Sequence, residues 1–149
     1  MRKIIILISS LFGIGFIPIF SGTIASILGI IIFFILKYRF YFLIFSIFSI
    51  ILSFLISGKA EEIFKEKDSK KIVIDDFSGM LLVLIFTPRN LTFIIFSFFL
   101  FRAFDALKVP PIDTIERLSG SVGIVFDDLL AGVYTIIIIL ILNFFIKFS

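Results

Sequence analysis

Long uncharged runs dominate the chain. Ile4 to Leu36 contains no charged residue, nor do Phe40 to Ser57 and Leu129 to Ile146, and Phe77 to Phe101 contains only Arg89. A helix needs about 20 mainly apolar residues to cross the hydrocarbon core of a bilayer, and each run meets or approaches that length. Polar residues gather into four islands between them. The first is uncharged: Gly13, Gly15, Pro18 and then Ser21-Gly22-Thr23. Its Pro and Gly residues interrupt one long helix, and Ser21 or Thr23 is placed to cap a helix over 24–36. Lys37-Tyr38-Arg39 turns the chain, and 40–56 returns. The second island, Gly58 to Asp76, holds the stretch GKAEEIFKEKDSKK, whose Glu61/Lys65 spacing reads as a solvated helix end. Thr87-Pro88-Arg89-Asn90 is the third. Arg102 to Asp128 is the fourth and longest, ahead of a final helix from about 129 to 148. The pattern predicts a single all-α domain over 1–149, an integral membrane bundle of about four spanning or re-entrant helices.

Topology adds a demand. The second and fourth islands hold most of the acids, and a shared site requires them on one side of the membrane. A single crossing by 77–101 would separate them. A break at Pro88 instead leaves two arms of about 11 residues, roughly 16 Å each as helix, enough for a hairpin that enters and returns. Polar islands tucked into the bundle interior are the alternative; the hairpin is preferred. Lys59 to Lys71 favour a cytoplasmic site by the positive-inside rule, against Lys37 and Arg39 on the opposite side. Arg2-Lys3 followed by Ile4–Leu11 imitates a secretory signal but runs on without a small-residue cleavage site.

Composition sharpens the chemistry. Hydrophobic residues make up 60% of the chain, above the 45–50% or so of ordinary soluble domains. There is no Cys and no His. Disulfides, thiolate metal sites, cysteine or histidine nucleophiles and Ser-His-Asp triads are therefore excluded. Any hydrolysis falls to carboxylates, hydroxyls, Lys or Arg, with a hard metal ion. The net charge of +3 forms no nucleic-acid stripe and suits anionic lipid headgroups.

Three constellations bear on that chemistry. Arg102, Asp105 and Lys108 recur every three residues, near one face of a helical turn that Pro110 ends. Asp127-Asp128 stands before an apolar helix, where one acid can face a site while the other caps or braces, because neighbouring helical residues point about 100° apart. Asp75-Asp76 repeats the pattern, with Gly79 one turn on. Capping at a helix start explains one acid better than two pairs, and carboxylates near lipid are costly. Asp105 plus one acid from each pair makes an oxygen-rich set suited to Mg²⁺, an ion able to polarise a phosphoryl oxygen and acidify water. Ser21-Gly22-Thr23-Ile24-Ala25-Ser26 adds backbone N–H groups and the hydroxyls of Ser21, Thr23 and Ser26 around a helix start, an anion cradle.

In order along the chain, these pieces resemble the phosphatidylglycerophosphatase A family, over about residues 12 to 134. The match runs through Ser21–Ser26, Asp75-Asp76-Phe77-Ser78-Gly79, Phe101-Arg102-Ala103-Phe104-Asp105, Lys108-Val109-Pro110-Pro111-Ile112, Glu116-Arg117, Gly120-Ser121-Val122-Gly123 and Asp127-Asp128-Leu129-Leu130-Ala131-Gly132. Departures from the family pattern are Ser21 for Pro, Ala25 for Gly, Asp76 for Glu, Val109 for Pro, Glu116 for Asp and Ser121 for Gly. Asp76 for Glu shortens a candidate ligand by one methylene. The resemblance implies Mg²⁺-dependent hydrolysis of phosphatidylglycerophosphate to phosphatidylglycerol and phosphate in the bacterial inner membrane.

On this reading Asp75, Asp105 and Asp127 or Asp128 hold the metal, with Asp76 in support. Arg102 and Lys108 neutralise the phosphate, helped by Thr23, Ser26 and their backbone. Water is the preferred nucleophile, an aspartyl phosphate the alternative. Another lipid-phosphate hydrolase is the nearest rival. A small ion-coupled transporter predicts acids at mid-helix depth, and a membrane scaffold predicts no preference among the acids.

Overall fold

The computed structural model describes residues 1–148, the side chain of Phe148 excepted. Every regular element among them is helical. The helices are α1 (Arg2–Ser9), α2 (Ser21–Ile35), α3 (Arg39–Phe64), α4 (Ile74–Phe86), α5 (Leu91–Leu107), α6 (Ile112–Glu116) and α7 (Gly120–Phe148), with a 3₁₀ turn at Ile14–Phe16. Two of them, α3 and α7, are long and apolar enough to cross a membrane. At about 1.5 Å per residue the 13 residues of α4 and 15 of α2 reach only some 20 Å, short of the roughly 30 Å core.

Helix α4 is the axis of the bundle. It is apolar on nearly every face after its opening acids, a pattern that requires burial all round, and it packs on α2, α3 and α7. Phe33, Phe42, Met80, Leu81, Leu84, Ile94, Phe101 and Ala131 form the core about it. A smaller cluster of Ala60, Ile72, Ile74 and Ile124 takes Ile5 and Ile8, docking α1 beneath the end of α3.

The surface inverts the usual order. On α3 the buried residues are Ser46, Ser49, Ser53, Ser57 and Ala60 together with Phe42 and Ile56, while Ile44, Ile47, Phe48, Ile51 and Leu55 are exposed. Small inward residues let helices approach closely in a bilayer. Large apolar side chains are exposed along the length of α3 and α7, where a soluble monomer shows such residues scattered singly.

Helices α4 and α5 form the preferred hairpin. Their turn at 87–90 lies at one end of the bundle, where Thr87 and Ser97 share a hydrogen bond of 3.0 Å. Their other ends meet again at an ion pair between Asp76 and Arg102. The second and fourth islands therefore share one end.

Three expectations need correction. Helix α2 begins at Ser21, and its cap position is Phe20 in the left-handed region with no side-chain cap bond; neither Ser21 nor Thr23 caps it. Helix α5 stops at Leu107, with Lys108 left-handed beyond it. Helix α7 begins at Gly120, about nine residues early. Polarity suggested a loop there, but the polar side chains of Gly120–Asp128 are one face of a helix turned toward other polar groups.

Candidate active site

At the end shared by the two islands lies a cavity of about 730 Å³. Its polar lining comes from the first turn of α4 (Asp75, Asp76), the last turns of α5 (Arg102, Asp105), the α5–α6 corner (Lys108), α6 (Glu116), α7 (Asp127, Asp128) and the segment after α3 (Asp68 to Lys71). The start of α2 and the irregular stretch before it make the remaining wall.

Cations are clamped between acids. Arg102 pairs with Asp76 and, at 3.1 Å, with Asp105. Lys108 lies 2.9 Å from Asp127 and 3.1 Å from Glu116. The left-handed backbone at Lys108 carries it off the α5 face and across to α7, where three-residue spacing alone would not place it. Burial would depress the Lys108 ammonium, but the Asp127 and Glu116 carboxylates outweigh it and raise its pKa above the ordinary lysine value.

The acids converge in three overlapping groups: Asp75, Asp76 and Asp128; Asp105, Asp127 and Asp128; and Asp68, Glu116 and Asp127. Within each, one oxygen per residue lies within 4.8 Å of the others. Asp75 is 5% exposed and Asp128 3%, and one carboxylate oxygen of each is buried without a hydrogen-bond partner. A buried, unpaired carboxylate oxygen is expensive, so both stand as open ligand positions. Asp127 and Asp128 sit in the third turn of α7, too deep to act as first-turn acids for its dipole. The Asp127 carboxylate also accepts the Asp128 N–H at 2.8 Å.

The first island divides. Gly22 lines the cavity, and a Cβ there would stand 2.5 Å from the Asp76 carboxylate. Only glycine lets the N–H groups of the first α2 turn, which have no intrahelical partner, approach so closely. Ser26 lies lower, fully buried, its hydroxyl donating to the Gly22 carbonyl at 3.0 Å. Thr23 is half-buried and, like Ser26, outside the cavity lining.

Asp68 was read as part of a solvated helix end and is instead half-buried in the site. Burial pushes its carboxyl up, partly offset by the Lys108 ammonium. Glu61 fixes this region from α3. Its two carboxylate oxygens accept the Asp68 N–H and the Gly120 N–H, each at 3.0 Å, and so tie the Asp68 turn to the start of α7. The available signal was Asp68-Ser69 lying four residues past the end of α3 and only seven residues before Asp75.

Comparison with known proteins bears on the same residues. The sequence profile of the phosphatidylglycerophosphatase A family matches residues 7–143. The chain belongs to that family. A Haemophilus influenzae phosphatidylglycerophosphatase A is 36% identical over 134 residues, covering 86% of this chain and 82% of the relative. The Escherichia coli phosphatidylglycerophosphatase A is 32% identical over 127 residues, covering 82% and 73%. A Bacteroides thetaiotaomicron protein, provisionally named a phosphatidylinositol-3-phosphatase, is 34% identical over 146 residues, covering 90% of each chain. No solved structure matches. With its two long apolar helices, this phosphatidylglycerophosphatase A relative is a membrane protein.

Proposed function

We propose that the chain removes the terminal phosphate of phosphatidylglycerophosphate, at this cavity and with Mg²⁺, as a multi-pass protein of the bacterial cytoplasmic membrane whose site faces the cytoplasm. The charge of the cavity carries the metal part of this reading. Counted as ionised, seven carboxylates face four cations, a formal excess of three negative charges before any substrate arrives. A phosphate monoester adds about two more. Without divalent cations the site would repel the ligand it is proposed to bind.

The residues fit such an ion. Every donor is a hard oxygen, as Mg²⁺ prefers, and Asp75 and Asp128 each present an unpaired buried oxygen. Asp75, Asp76 and Asp128 would hold one ion, and Asp105 with Asp127 and Asp128 offers a second position. When bound, the ion would withdraw charge from a phosphoryl oxygen.

The protein's own groups do the remaining work. Arg102, held by Asp76 and Asp105, and Lys108, held by Asp127 and Glu116, would exchange part of those contacts for phosphoryl oxygens. Preorganised cations of this kind stabilise charge that develops in the transition state. Hydrolysis breaks the bond between phosphorus and the terminal glycerol oxygen; the water oxygen forms the new bond to phosphorus, and a proton from that water ends on the departing glycerol oxygen. Asp68 and Glu116, half-buried in the cavity lining and outside the two groups assigned to the ion, would exchange that proton with solvent.

Phosphate release from the purified protein, measured on phosphatidylglycerophosphate with Mg²⁺ and with excess chelator, tests this directly. Release with Mg²⁺ alone is expected; equal release under chelation rejects the metal. The Bacteroides relative gives a second reading, a phosphoinositide monoester as substrate. Faster turnover of phosphatidylinositol 3-phosphate than of phosphatidylglycerophosphate would favour it.

A further inference from the structure

One wall of the cavity is unlike the rest. Besides the acids, the cavity is lined by Phe16, the last residue of the 3₁₀ turn, and by Ile17, Pro18, Ile19 and Phe20 of the irregular stretch that follows it. Ile19 is 63% exposed and Phe20 72%. Apolar exposure on α3 or α7 is what any lipid-facing helix shows, but here it lines the polar chamber itself.

The backbone is held in this shape at a cost. Leu11, Phe12 and Phe20 have φ of 48°, 57° and 61°, a strained region that bulky residues rarely adopt. The stretch is also fastened down. The Gly15 N–H donates to Ser10 at 2.9 Å, a Cβ on Gly15 would lie 2.0 Å from the Lys71 carbonyl oxygen, and Ser21 Oγ donates to the Lys70 carbonyl at 3.3 Å. Irregular backbone at membrane depth is tolerated where it lines a cavity. This one is built and anchored to put large apolar side chains on the cavity wall.

Charge settles what lies on that wall. Lys70 and Lys71 border the same cavity, and neither has a carboxylate partner among the described ion pairs. An apolar wall that ends in two ammonium groups without carboxylate partners, the Lys71 one resting 5.3 Å from the centre of the Phe64 ring, matches an anionic lipid: acyl chain on the wall, phosphate linkage at the lysines, terminal phosphate on the floor of acids and clamped cations. We propose that the 16–20 segment is the acyl-chain track by which the lipid substrate enters the site from the bilayer. This rests on the phosphatase reading above and adds the route and orientation of its substrate.

Two measurements test it. Turnover of dihexanoyl phosphatidylglycerophosphate, below its micelle concentration, is compared with that of the dioleoyl lipid in mixed micelles. In the double variant Ile17→Ser, Ile19→Ser, kcat/KM for the dioleoyl lipid should fall about tenfold, chiefly through KM, with less than about a twofold change for the short lipid. Loss on neither lipid, or KM unchanged on the long one, overturns the track. The second needs no variant. Wild-type protein in vesicles containing phosphatidylglycerophosphate with a photoreactive acyl chain should be labelled within 12–20, beyond the labelling by a photoreactive phosphatidylcholine. Equal labelling by both lipids, or labelling confined to α3 and α7, overturns the proposal, and this arm decides if the variant misfolds. Wild-type protein that hydrolyses neither chain length would instead sink the phosphatase reading, and the track with it.

Discussion

The two ends of the bundle both carry charge among apolar helices, and they use it differently. At the end with the α4–α5 turn, Arg39 donates to the Ile85 carbonyl at 3.0 Å and Arg89 to the Leu36 carbonyl at 2.7 Å, with the Arg89 guanidinium 4.3 Å from the centre of the Phe33 ring. These carbonyls close α4 and α2, where backbone acceptors lack partners and cations are favoured. Helix termination explains both arginines completely. At the other end Arg102 and Lys108 meet carboxylates, and the carboxylates outnumber the cations. Asp75 is in the first turn of α4, but no dipole accounts for Asp128 deep in α7, and no cap leaves both buried with an open oxygen. Charge with a backbone partner is architecture; charge left over points to a ligand.

Substitutions can break or sharpen that contrast. The largest effect is expected from Asp128→Asn, which keeps the shape of a residue shared by two acid groups. Loss of about 4 kcal/mol of charge stabilisation slows phosphate release on the order of 10³-fold, with the thermal transition unchanged or raised, since a buried carboxylate with one unpartnered oxygen is replaced by a neutral amide. A parallel loss of folded protein would make Asp128 architectural. Arg102→Ala should follow at roughly 10²-fold in kcat, read in the same assay. Gly22→Ala pushes a methyl against the Asp76 carboxylate, and about a tenfold decrease is expected, a shift of roughly 1.4 kcal/mol; retained activity would show that Asp76 moves freely. Arg89→Ala is the smallest. Turnover should stay within about twofold while the melting temperature drops by roughly 2–4 °C, for about 1 kcal/mol of lost carbonyl bonding. A larger effect on activity than on melting would erase the distinction between the ends.

Much of the site could be read from local spacing. Phe101–Ile112 carries Arg102, Asp105 and Lys108 in one short stretch, and Asp75-Asp76 opens an apolar helix as its position implied. The hairpin followed from a chain-level argument about which acids must share a side, with Pro88-Arg89-Asn90 as the break. Other features depend on three-dimensional packing. Asp68 sits among lysines and glutamates whose helical spacing imitates a solvated end, and only the Glu61 bridge and the approach of α7 enclose it. Ser26 looked like a phosphate ligand because Ser-x-x-x-x-Ser crowds hydroxyls near a helix start. Once α2 begins at Ser21, Ser26 falls more than a turn inside, bonded to the helix's own carbonyl. Local polarity puts Asp127 and Asp128 at a helix start, but α7 already begins at Gly120, because a helix facing a wet cavity is polar along that side.

All three acid groups include Asp127 or Asp128, neighbours on one continuous rod. The angular setting of α7 therefore indexes the entire centre, much as a key's cuts depend on its blade. Deleting one residue between Gly123 and Asp127 would swing both carboxylates by about 100°, emptying all three groups together while hydropathy stayed the same. Length changes across 108–119, ahead of the rod, leave its angle to be reset by Glu61 and Gly120. Insertions and deletions among functional relatives should accordingly be confined to the corner before Gly120 and be absent from the eight residues that follow it.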